Sequence, residues 1–321
     1  MSSFAIGDIH GCLEELELLL GTLPLKKDSQ LIFLGDYIDR GDQSKEVIEY
    51  LIELRKKRPI VTLCGNHEAM MLDFILRPNS PGAGIYIMNG GSATLASYAD
   101  DKGQYWIPDS HIEFLLGLKR FHQDEKFFYV HAGVPDLPLH HLDPKEHEAH
   151  FLWARQPFIK SHFNWGKPIV HGHTPCEEVE ILPTRINVDT GCIYGNKLSA
   201  IELPSRKIFS VPGRTKGRQL ILRDSTSKRI AIRFDGKLPV SVRYQNQSYD
   251  FETLNYNEFG FLIGALSSEA PTFVAGDIVY GVAGQYEPSS VDFEGDVVRT
   301  ELKDGRILYG IKFRKIKPHV K

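Results

Sequence analysis

Cysteine is scarce in this sequence, and the few cysteines are scattered. The 321 residues include four, at positions 12, 64, 176 and 192, and none of them forms a Cys-x-x-Cys pair. This spacing argues against a disulfide scaffold and against a cysteine-ligated zinc ribbon. We therefore expect a protein of the reducing cytoplasm.

Long apolar runs and a strong net charge are also missing. No stretch of about 18 apolar residues occurs, so we expect no membrane-spanning helix. The N-terminus has no basic region followed by a long apolar stretch, so we expect no secretory signal. The formal net charge of −3 gives no general reason to expect nucleic acid. Neither a membrane nor a nucleic acid is therefore an expected partner.

The charge that is present is unevenly placed along the chain. Residues 1–212 carry more acidic than basic residues, and residues 213–321 carry more basic than acidic ones. The stretch from Pro212 to Gly217 between them is polar and contains two glycines, which is typical of a linker. We predict two domains, 1–212 and 213–321.

The first domain alternates short apolar runs with amphipathic stretches. Buried strands are predicted at residues 4–6, 31–34, 60–63, 127–130 and 169–170, and helices at 13–20 and 47–57. Further β structure is predicted at residues 186–188, 198–203 and 207–211. This alternation predicts an α/β layered fold.

Glycine-rich polar motifs follow each of the first five predicted strands. They read GDIHG (residues 7–11), GDYIDRG (35–41), GNHE (65–68), HAG (131–133) and HGHT (171–174). Ligand sites in open α/β sheets form outside the carboxyl ends of the strands, so the five loops should meet in one crevice. Carboxylate, amide and imidazole groups without thiolate suit Mn²⁺, Fe or Zn²⁺. Two such cations can lower the pKa of a water and orient it towards phosphorus.

The five motifs, in this order over residues 7–191, resemble those of calcineurin-type metallophosphoesterases, and in particular the phosphoprotein phosphatase branch. The resemblance implies a layered metallophosphoesterase β-sandwich flanked by helices and two divalent metal ions, of which Mn²⁺ is the leading expectation and Fe or Zn²⁺ the alternatives. It implies one metal held by Asp8, His10 and Asp36, and a second held by Asp36, Asn66, His131 and His173. Asp36 is then the bridging ligand.

The resemblance also assigns catalytic roles. His67, oriented by Asp39, protonates the leaving oxygen, and Arg40 binds the phosphoryl group. A second arginine is expected shortly before the last histidine motif, and Arg155 occupies that place. Two guanidinium groups on one tetrahedral phosphate suit the chemistry.

The second domain has short alternating strands separated by glycine turns, which predicts a small all-β barrel. Its Arg-x-x-x-Arg pair and a later Asn- and Gly-containing turn resemble a PilZ domain, the bacterial receptor for cyclic di-GMP. The resemblance implies a ligand site formed by Arg229, Arg233, Asn255, Asn257 and Gly260. The family pattern has serine where Asn257 stands, although an amide can still donate and accept hydrogen bonds.

Three functions fit these features. The leading prediction is a bacterial signalling enzyme, a protein serine/threonine phosphatase. It would remove phosphate from a phosphoprotein substrate, and cyclic di-GMP would regulate it through the second domain. The second is hydrolysis of diadenosine tetraphosphate or a related dinucleotide, because such hydrolases share the motifs. The third is a cyclic di-GMP receptor that uses its phosphatase half as a docking platform, against which the complete ligand set argues. Phosphotyrosine hydrolysis is a further alternative.

Overall fold

The structure is a computed structural model that describes residues 2–77, 81–213, 237–257, 259–266, 268, 270–284 and 290–318. Contacts between Cα atoms divide these residues into two compact units. The first unit lies within residues 2–69, 97–100 and 104–213, and the second within 70–96, 101–103 and 237–318. The predicted domain boundary at residues 212–213 adjoins the stretch 214–236, which lies outside the described residues, and it stays a prediction.

The described part of the first unit contains two five-stranded sheets. Their strands are β1 (Ser3–Ile6), β2 (Gln30–Phe33), β3 (Ile60–Thr62), β4 (Phe121–Gln123), β5 (Phe128–Val130), β6 (Ile169–His171), β7 (Glu180–Ile181), β8 (Arg185–Asn187), β9 (Lys197–Leu203) and β10 (Lys207–Pro212). The strand orders are β10-β9-β1-β2-β3 and β4-β5-β6-β8-β7. Strands β1, β2 and β3 run parallel, as do β5, β6 and β8.

A single apolar cluster joins the two sheets of this unit. Side chains from both sheets contribute to it, among them Ala5, Ile32, Val170 and Ile186. Each of these four is fully buried. The two sheets therefore pack face to face as a β-sandwich, and the predicted α/β layered fold is confirmed.

The helices are divided between the two units. They are α1 (Leu13–Thr22), α2 (Ser44–Lys57), α3 (Asn66–Leu76), α4 (Pro81–Tyr86), α5 (Ser92–Ser97), α6 (Asp109–Leu116), α7 (Glu148–Trp153) and α8 (Gln156–Lys160). In α2 the buried residues Val47, Ile48 and Leu51 recur at helical spacing, and basic residues fill its last turn. No helix in the described part of the chain is both long and apolar enough to cross a membrane.

The second unit is built on a closed barrel of six strands among its described residues. They are β11 (Pro239–Tyr244), β12 (Gln247–Asn257), β13 (Gly260–Leu266), β14 (Ile278–Ala283), β15 (Val291–Lys303) and β16 (Arg306–Pro318), in the order β11-β12-β13-β16-β15-β14. The predicted C-terminal barrel is thus confirmed, while its assignment to the PilZ family stays a prediction.

Residues 70–96 belong to the same unit as the barrel. A Cβ atom added at Gly84, in α4, would lie 3.1 Å from the ring of Tyr256 and 3.3 Å from Leu238. The side chain of Ile85 lies against Gly284 in the same way. A helical segment inserted early in the chain therefore packs on the C-terminal barrel.

Candidate metal centre

The five motifs lie at the carboxyl ends of parallel strands in the first unit. Asp8 follows β1, Asp36 follows β2, Asn66 begins α3 just after β3, and His131 and His173 follow β5 and β6. All five side chains are buried. Parallel strands carry their carboxyl ends to one edge of a sheet, which is why loops so distant in sequence meet here.

Asp36 lies between two groups of histidines. Its Oδ2 atom is 3.5 Å from His10 Nε2, and its Oδ1 atom is 3.5 Å from His131 Nε2. The possible ligand atoms of His10, Asp36 and His67 lie within 4.8 Å of one another, and so do those of Asp36, His131 and His173. Each of the two groups therefore faces a different oxygen atom of the same carboxylate, which is the geometry of a bridging ligand.

Backbone carbonyl groups fix the orientation of two of the histidine rings. His10 Nδ1 lies 2.8 Å from the carbonyl oxygen of Ile38, and His131 Nδ1 lies 3.0 Å from that of Leu34. A carbonyl only accepts, so each Nδ1 carries the proton and each Nε2 presents its lone pair to the centre. His131 Nε2 also lies 3.0 Å from Asn66 Oδ1 and 3.2 Å from His173 Nδ1.

The centre holds more buried negative charge than its own residues neutralise. Burial raises the pKa of Asp8, and the carboxylates of Asp189 and Asp36 raise it further. Burial likewise raises the pKa of Asp36 to about 7 and that of Asp189 to about 6. Burial lowers the pKa of the four histidines, which keeps them neutral and able to coordinate a metal: His10, His67, His131 and His173. Buried carboxylates beside neutral imidazoles favour bound cations.

Glycines leave the space that these carboxylates occupy. A Cβ atom at Gly65 would collide with Asp36 Oδ1, and one at Gly172 would collide with Asp8 Oδ1. Gly35 has a φ of 106°, and a Cβ there would come within 2.9 Å of the His131 ring. The motif glycines are thus required by the close approach of acidic side chains to the backbone.

Five residues of the motifs adopt left-handed backbone conformations. The φ angles of His10, Asp36, Asp39, Arg40 and His173 lie between 49° and 72°. Non-glycine residues rarely occur there, and such strain persists where the surrounding structure holds a functional site in place. The strain therefore coincides with the predicted ligands and phosphate-binding residues.

The donor set fits two divalent cations that share Asp36. Asp8, which the sequence assigns to one of them, stands outside both close groups of possible ligand atoms. Its carboxylate accepts a hydrogen bond from the backbone N–H of His173 (3.1 Å). This hydrogen bond to the backbone of His173 still places Asp8 beside the same centre. His67, which the sequence did not assign as a ligand, belongs to the first group instead, with its Nε2 3.9 Å from Asp36 Oδ2.

His67 and Asp39 form a hydrogen-bonded pair. His67 Nδ1 lies 2.6 Å from Asp39 Oδ2, and both side chains are fully buried. His67 Nε2 has no hydrogen-bond partner within the described part of the chain. A neutral His67 therefore donates through Nδ1 to Asp39 and points Nε2 at the metal centre, as a residue that exchanges protons with substrate must.

Arg40 and Arg155, the two predicted phosphate-binding residues, both interact with residues of the metal centre. Arg40 Nη1 donates a hydrogen bond to His10 Nε2 (2.5 Å). The positive charges of Arg40 and Arg155 each lower the pKa of Asp36. Arg155 lies at the start of α8 and is half-buried. The structure therefore brings Arg155, chosen from local spacing, to the same centre as Arg40.

Glu68 is a functional residue to which the sequence gave no role. This buried carboxylate accepts hydrogen bonds from the backbone N–H groups of Asp36 (2.9 Å), Tyr37 (2.8 Å) and Gly65 (2.9 Å). It therefore fixes the loop that carries the bridging carboxylate to the start of α3. The signal was its place in the GNHE motif, directly after Asn66 and His67.

Asp189 is also closer to the centre than its sequence context suggested. Its Oδ1 accepts from the backbone N–H of Gly191 (2.9 Å), and its charge raises the pKa of Asp8. The sequence segment around Asp189 resembles a family segment and predicted only structural support. The negative charge of the Asp189 side chain adds to that of the metal ligands. His171, the other histidine of the last motif, packs its ring on Phe158.

The predicted cyclic di-GMP residues are only partly described. Arg229 and Arg233 lie outside the described residues. Asn255 and Asn257 belong to β12 rather than to a turn, and the side chain of Asn257 is not described. Asn255 and Gly260 line a cavity of about 370 Å³ on the barrel.

The fold and the metal centre define a phosphoesterase. Residues 1–192 match the calcineurin-like phosphoesterase family, and the chain belongs to it.

Two curated relatives are similar in sequence to this chain over most of their own length. A bis(5′-nucleosyl)-tetraphosphatase [asymmetrical] PrpE of Oceanobacillus iheyensis is 32% identical over 237 residues, which cover 65% of this chain and 91% of the relative. The corresponding protein of Anoxybacillus flavithermus is 30% identical over 64% of this chain and 92% of the relative. The crystal structure of a provisionally assigned diadenosine tetraphosphatase is 23% identical over 67% of this chain and 94% of that chain, with a TM-score of 0.46.

Proposed function

We propose that this protein hydrolyses dinucleoside tetraphosphates asymmetrically, into a nucleoside monophosphate and a nucleoside triphosphate. The observation that carries the proposal is the buried Asp36 carboxylate shared between two groups of histidines. The names of relatives matched over about nine-tenths of their length support this substrate. The second of the sequence-based alternatives is therefore preferred to the leading one, a protein serine/threonine phosphatase.

The proposed ligands divide into two sets that share one carboxylate. Asp8, His10 and Asp36 would hold one cation, and Asp36, Asn66, His131 and His173 the other. Bound there, two divalent ions would polarise a phosphoryl oxygen and activate the attacking water. We keep Mn²⁺ as the leading candidate, since oxygen and nitrogen ligands without thiolate suit it.

The remaining residues bind phosphate and transfer a proton to the leaving oxygen. Arg40 and Arg155 carry the positive charge that a polyphosphate requires, and their guanidinium groups can each donate to two phosphate oxygens. His67, held by Asp39 through Nδ1, protonates the leaving oxygen from Nε2 once the ring has taken up a second proton at that nitrogen, and the Asp39 carboxylate stabilises the resulting imidazolium. When the leaving group is a nucleoside triphosphate, its oxygen is already a good leaving group and needs little protonation.

A phosphoprotein substrate remains the second candidate for the same centre. The serine alkoxide is a poor leaving group, and the buried His67–Asp39 pair is what its departure requires. This pair is the specific observation in favour of a phosphomonoesterase. The two substrates therefore differ in how much they depend on His67.

Product analysis distinguishes these functions. Purified protein with Mn²⁺ is given diadenosine tetraphosphate and, separately, phosphoserine and phosphothreonine peptides. We expect AMP and ATP in equal amounts, and slower release of phosphate from the peptides. Formation of two ADP molecules, or faster turnover of the peptides, would contradict the proposal. Asp36→Asn is the control, and it should abolish turnover of every substrate because it weakens both metal sites.

For the barrel we propose a separate role, the binding of cyclic di-GMP. The cavity that contains Asn255 and Gly260 is also lined by Arg299 and Lys312, which supply positive charge for a dinucleotide phosphate. Titration calorimetry on the full chain tests this. We expect binding that Arg299→Ala weakens and that Arg243→Ala, a change at an exposed position of β11, leaves intact. Absence of heat at high micromolar ligand would leave the barrel with a structural role.

A further inference from the structure

Tyr194 is a largely exposed aromatic residue beside Arg40, which is a predicted phosphate-binding residue. It is 57% exposed. The guanidinium carbon of Arg40 lies over its ring, 5.8 Å from the ring centroid. The ring therefore lies beside Arg40.

A rigid turn holds this ring in place. Tyr194 ends a short 3₁₀ helix, Cys192–Tyr194, flanked by Gly191 (φ 68°) and Gly195 (φ 87°). The backbone N–H of Tyr194 donates to the carbonyl of Gly191, and that of Gly195 donates to the carbonyl of Cys192 (both 3.0 Å). The Cys192 side chain is buried and anchors the turn. Because the backbone is fixed by hydrogen bonds on both sides, the point from which the exposed ring extends is fixed.

The position of the ring suits a nucleotide better than a peptide. In a nucleotide the base is separated from the α-phosphate by a single ribose. A phosphate bound at Arg40 would therefore place the attached base near the neighbouring ring. Aromatic side chains bind bases by stacking, which tolerates any base because every base has a π face.

We infer that Tyr194 is the base-stacking residue of the substrate site, and that it selects nucleotides over other phosphate esters. The inference rests on the proposed function, because it names the part of the dinucleotide that this residue recognises. Stacking should give selectivity for a base without strong preference among bases, since no hydrogen bond to a base edge is required.

Ligand binding tests the inference without turnover. Titration calorimetry on the full-length, Mn²⁺-loaded protein compares AMP with ribose 5-phosphate, which lacks the base. We expect AMP to bind between about fivefold and a hundredfold more tightly, the range that stacking on an aromatic side chain provides. Tyr194→Ala should bring the two affinities together, whereas Tyr194→Phe should keep most of the difference because it keeps the ring.

Trp106→Ala provides a matched control, because Trp106 is another exposed aromatic residue of the first unit (74% exposed). It should leave the preference for AMP unchanged. Equal binding of AMP and ribose 5-phosphate by the wild type would overturn the inference. So would a preference for AMP that survives in Tyr194→Ala, or an equal loss of affinity for both ligands, which would mean that Tyr194 only positions Arg40.

Turnover of diadenosine tetraphosphate by the wild type separates this inference from the proposed function. If the wild type cleaves the dinucleotide but Tyr194→Ala keeps its preference for AMP, the inference fails and the function stands. If the wild type does not cleave it but Tyr194→Ala loses the preference, the proposed substrate fails and base recognition by Tyr194 stands.

Discussion

At the scale of single residues, Glu68 shows how a side chain outside the ligand set can control the metal centre. It accepts hydrogen bonds from the backbone N–H groups of the bridging ligand Asp36, of Tyr37 and of Gly65. An acceptor-only carboxylate suits this position, because an amide would turn an N–H group towards other N–H groups.

We predict that Glu68→Gln destabilises the protein and lowers its activity. A buried N–H group left without an acceptor costs about 1–3 kcal/mol, so denaturant unfolding should show a loss of that size. Turnover should fall as well, because the loop that carries Asp36 loses its anchor. Glu53→Gln, at an exposed site on α2, is the matched control and should change stability by less than about 0.5 kcal/mol. Equal effects of the two substitutions would contradict the role of Glu68.

A second prediction at this scale concerns His67. General acid–base catalysis contributes about 10²–10⁴-fold, so His67→Gln should slow hydrolysis of phosphoserine peptides by a factor in this range. The loss should be smaller for diadenosine tetraphosphate and for aryl phosphates, since their leaving groups need little protonation. Steady-state kinetics on the three substrates measures the pattern. Equal losses on all three would remove His67 from the role of acid.

At the scale of elements, the alternation of strands and helices was predictable because buried parallel strands are continuous apolar runs. Strands β1, β2 and β3 lie within a residue of their predicted positions. The short strands β4 and β7 were missed because they lie at the sheet edge and are largely polar or exposed.

Strand β12 was missed for a different reason. The sequence suggested a turn from Asn255 to Gly260, but residues up to Asn257 continue the strand. A bulge between Thr253 and Asn255 interrupts the alternation, so Thr253 and Tyr256 are both buried. Strict alternation of apolar and polar residues cannot identify a strand in which a bulge moves the buried positions from one alternate set to the other.

The candidate site was predictable to the extent that its chemistry lies in the motifs. The residue types at strand ends indicated metal ligands, and the structure brings them together. The left-handed backbone of Asp36 and His173 was not predictable, because it results from hydrogen bonds and packing contributed by distant loops. The exposure of Tyr194 could not be inferred either, since a tyrosine between glycines is also typical of an ordinary turn.

The turn between β3 and α3 gives a prediction at this scale. Gly65→Ala would place a Cβ atom against Asp36 Oδ1, so we expect loss of bound metal and of activity. Gly21→Ala is the matched control, because a Cβ at Gly21 in α1 meets no other atom within 4 Å. It should stabilise the protein by up to about 1 kcal/mol through helix propensity. Metal content of the purified variants, measured by elemental analysis, tests the difference, and a fully metallated Gly65→Ala would contradict it.

At the scale of the whole molecule, the units are not consecutive in sequence. Residues 70–96 belong with the barrel although they lie between motifs of the metal centre. The side chains of Ala83, Ile85, Tyr86 and Ile87 in this segment are buried. The barrel therefore covers apolar residues contributed by the first third of the chain.

We predict that a fragment ending at residue 212 is less stable than the full chain and prone to aggregate. Without the barrel, the segment around Gly84 and Ile85 loses its contacts with Tyr256, Leu238 and Gly284. Size-exclusion chromatography and thermal unfolding of the fragment and the full chain measure this. A monomeric fragment with an unchanged melting temperature would contradict the prediction. Polar substitutions at Ile85 and Ile87 should restore solubility of the fragment while destabilising the full chain.

The packing of Gly84 on Tyr256 also limits how this protein can evolve. The barrel is not a free appendage here, because its packing depends on a segment that lies between the motifs of the metal centre in sequence. Among homologues, those with the barrel should keep small or apolar residues at positions 84 and 85, and those without it should carry polar ones. Selection for the barrel is therefore expected to act on residues 70–96, far in sequence from the predicted domain boundary at residues 212–213.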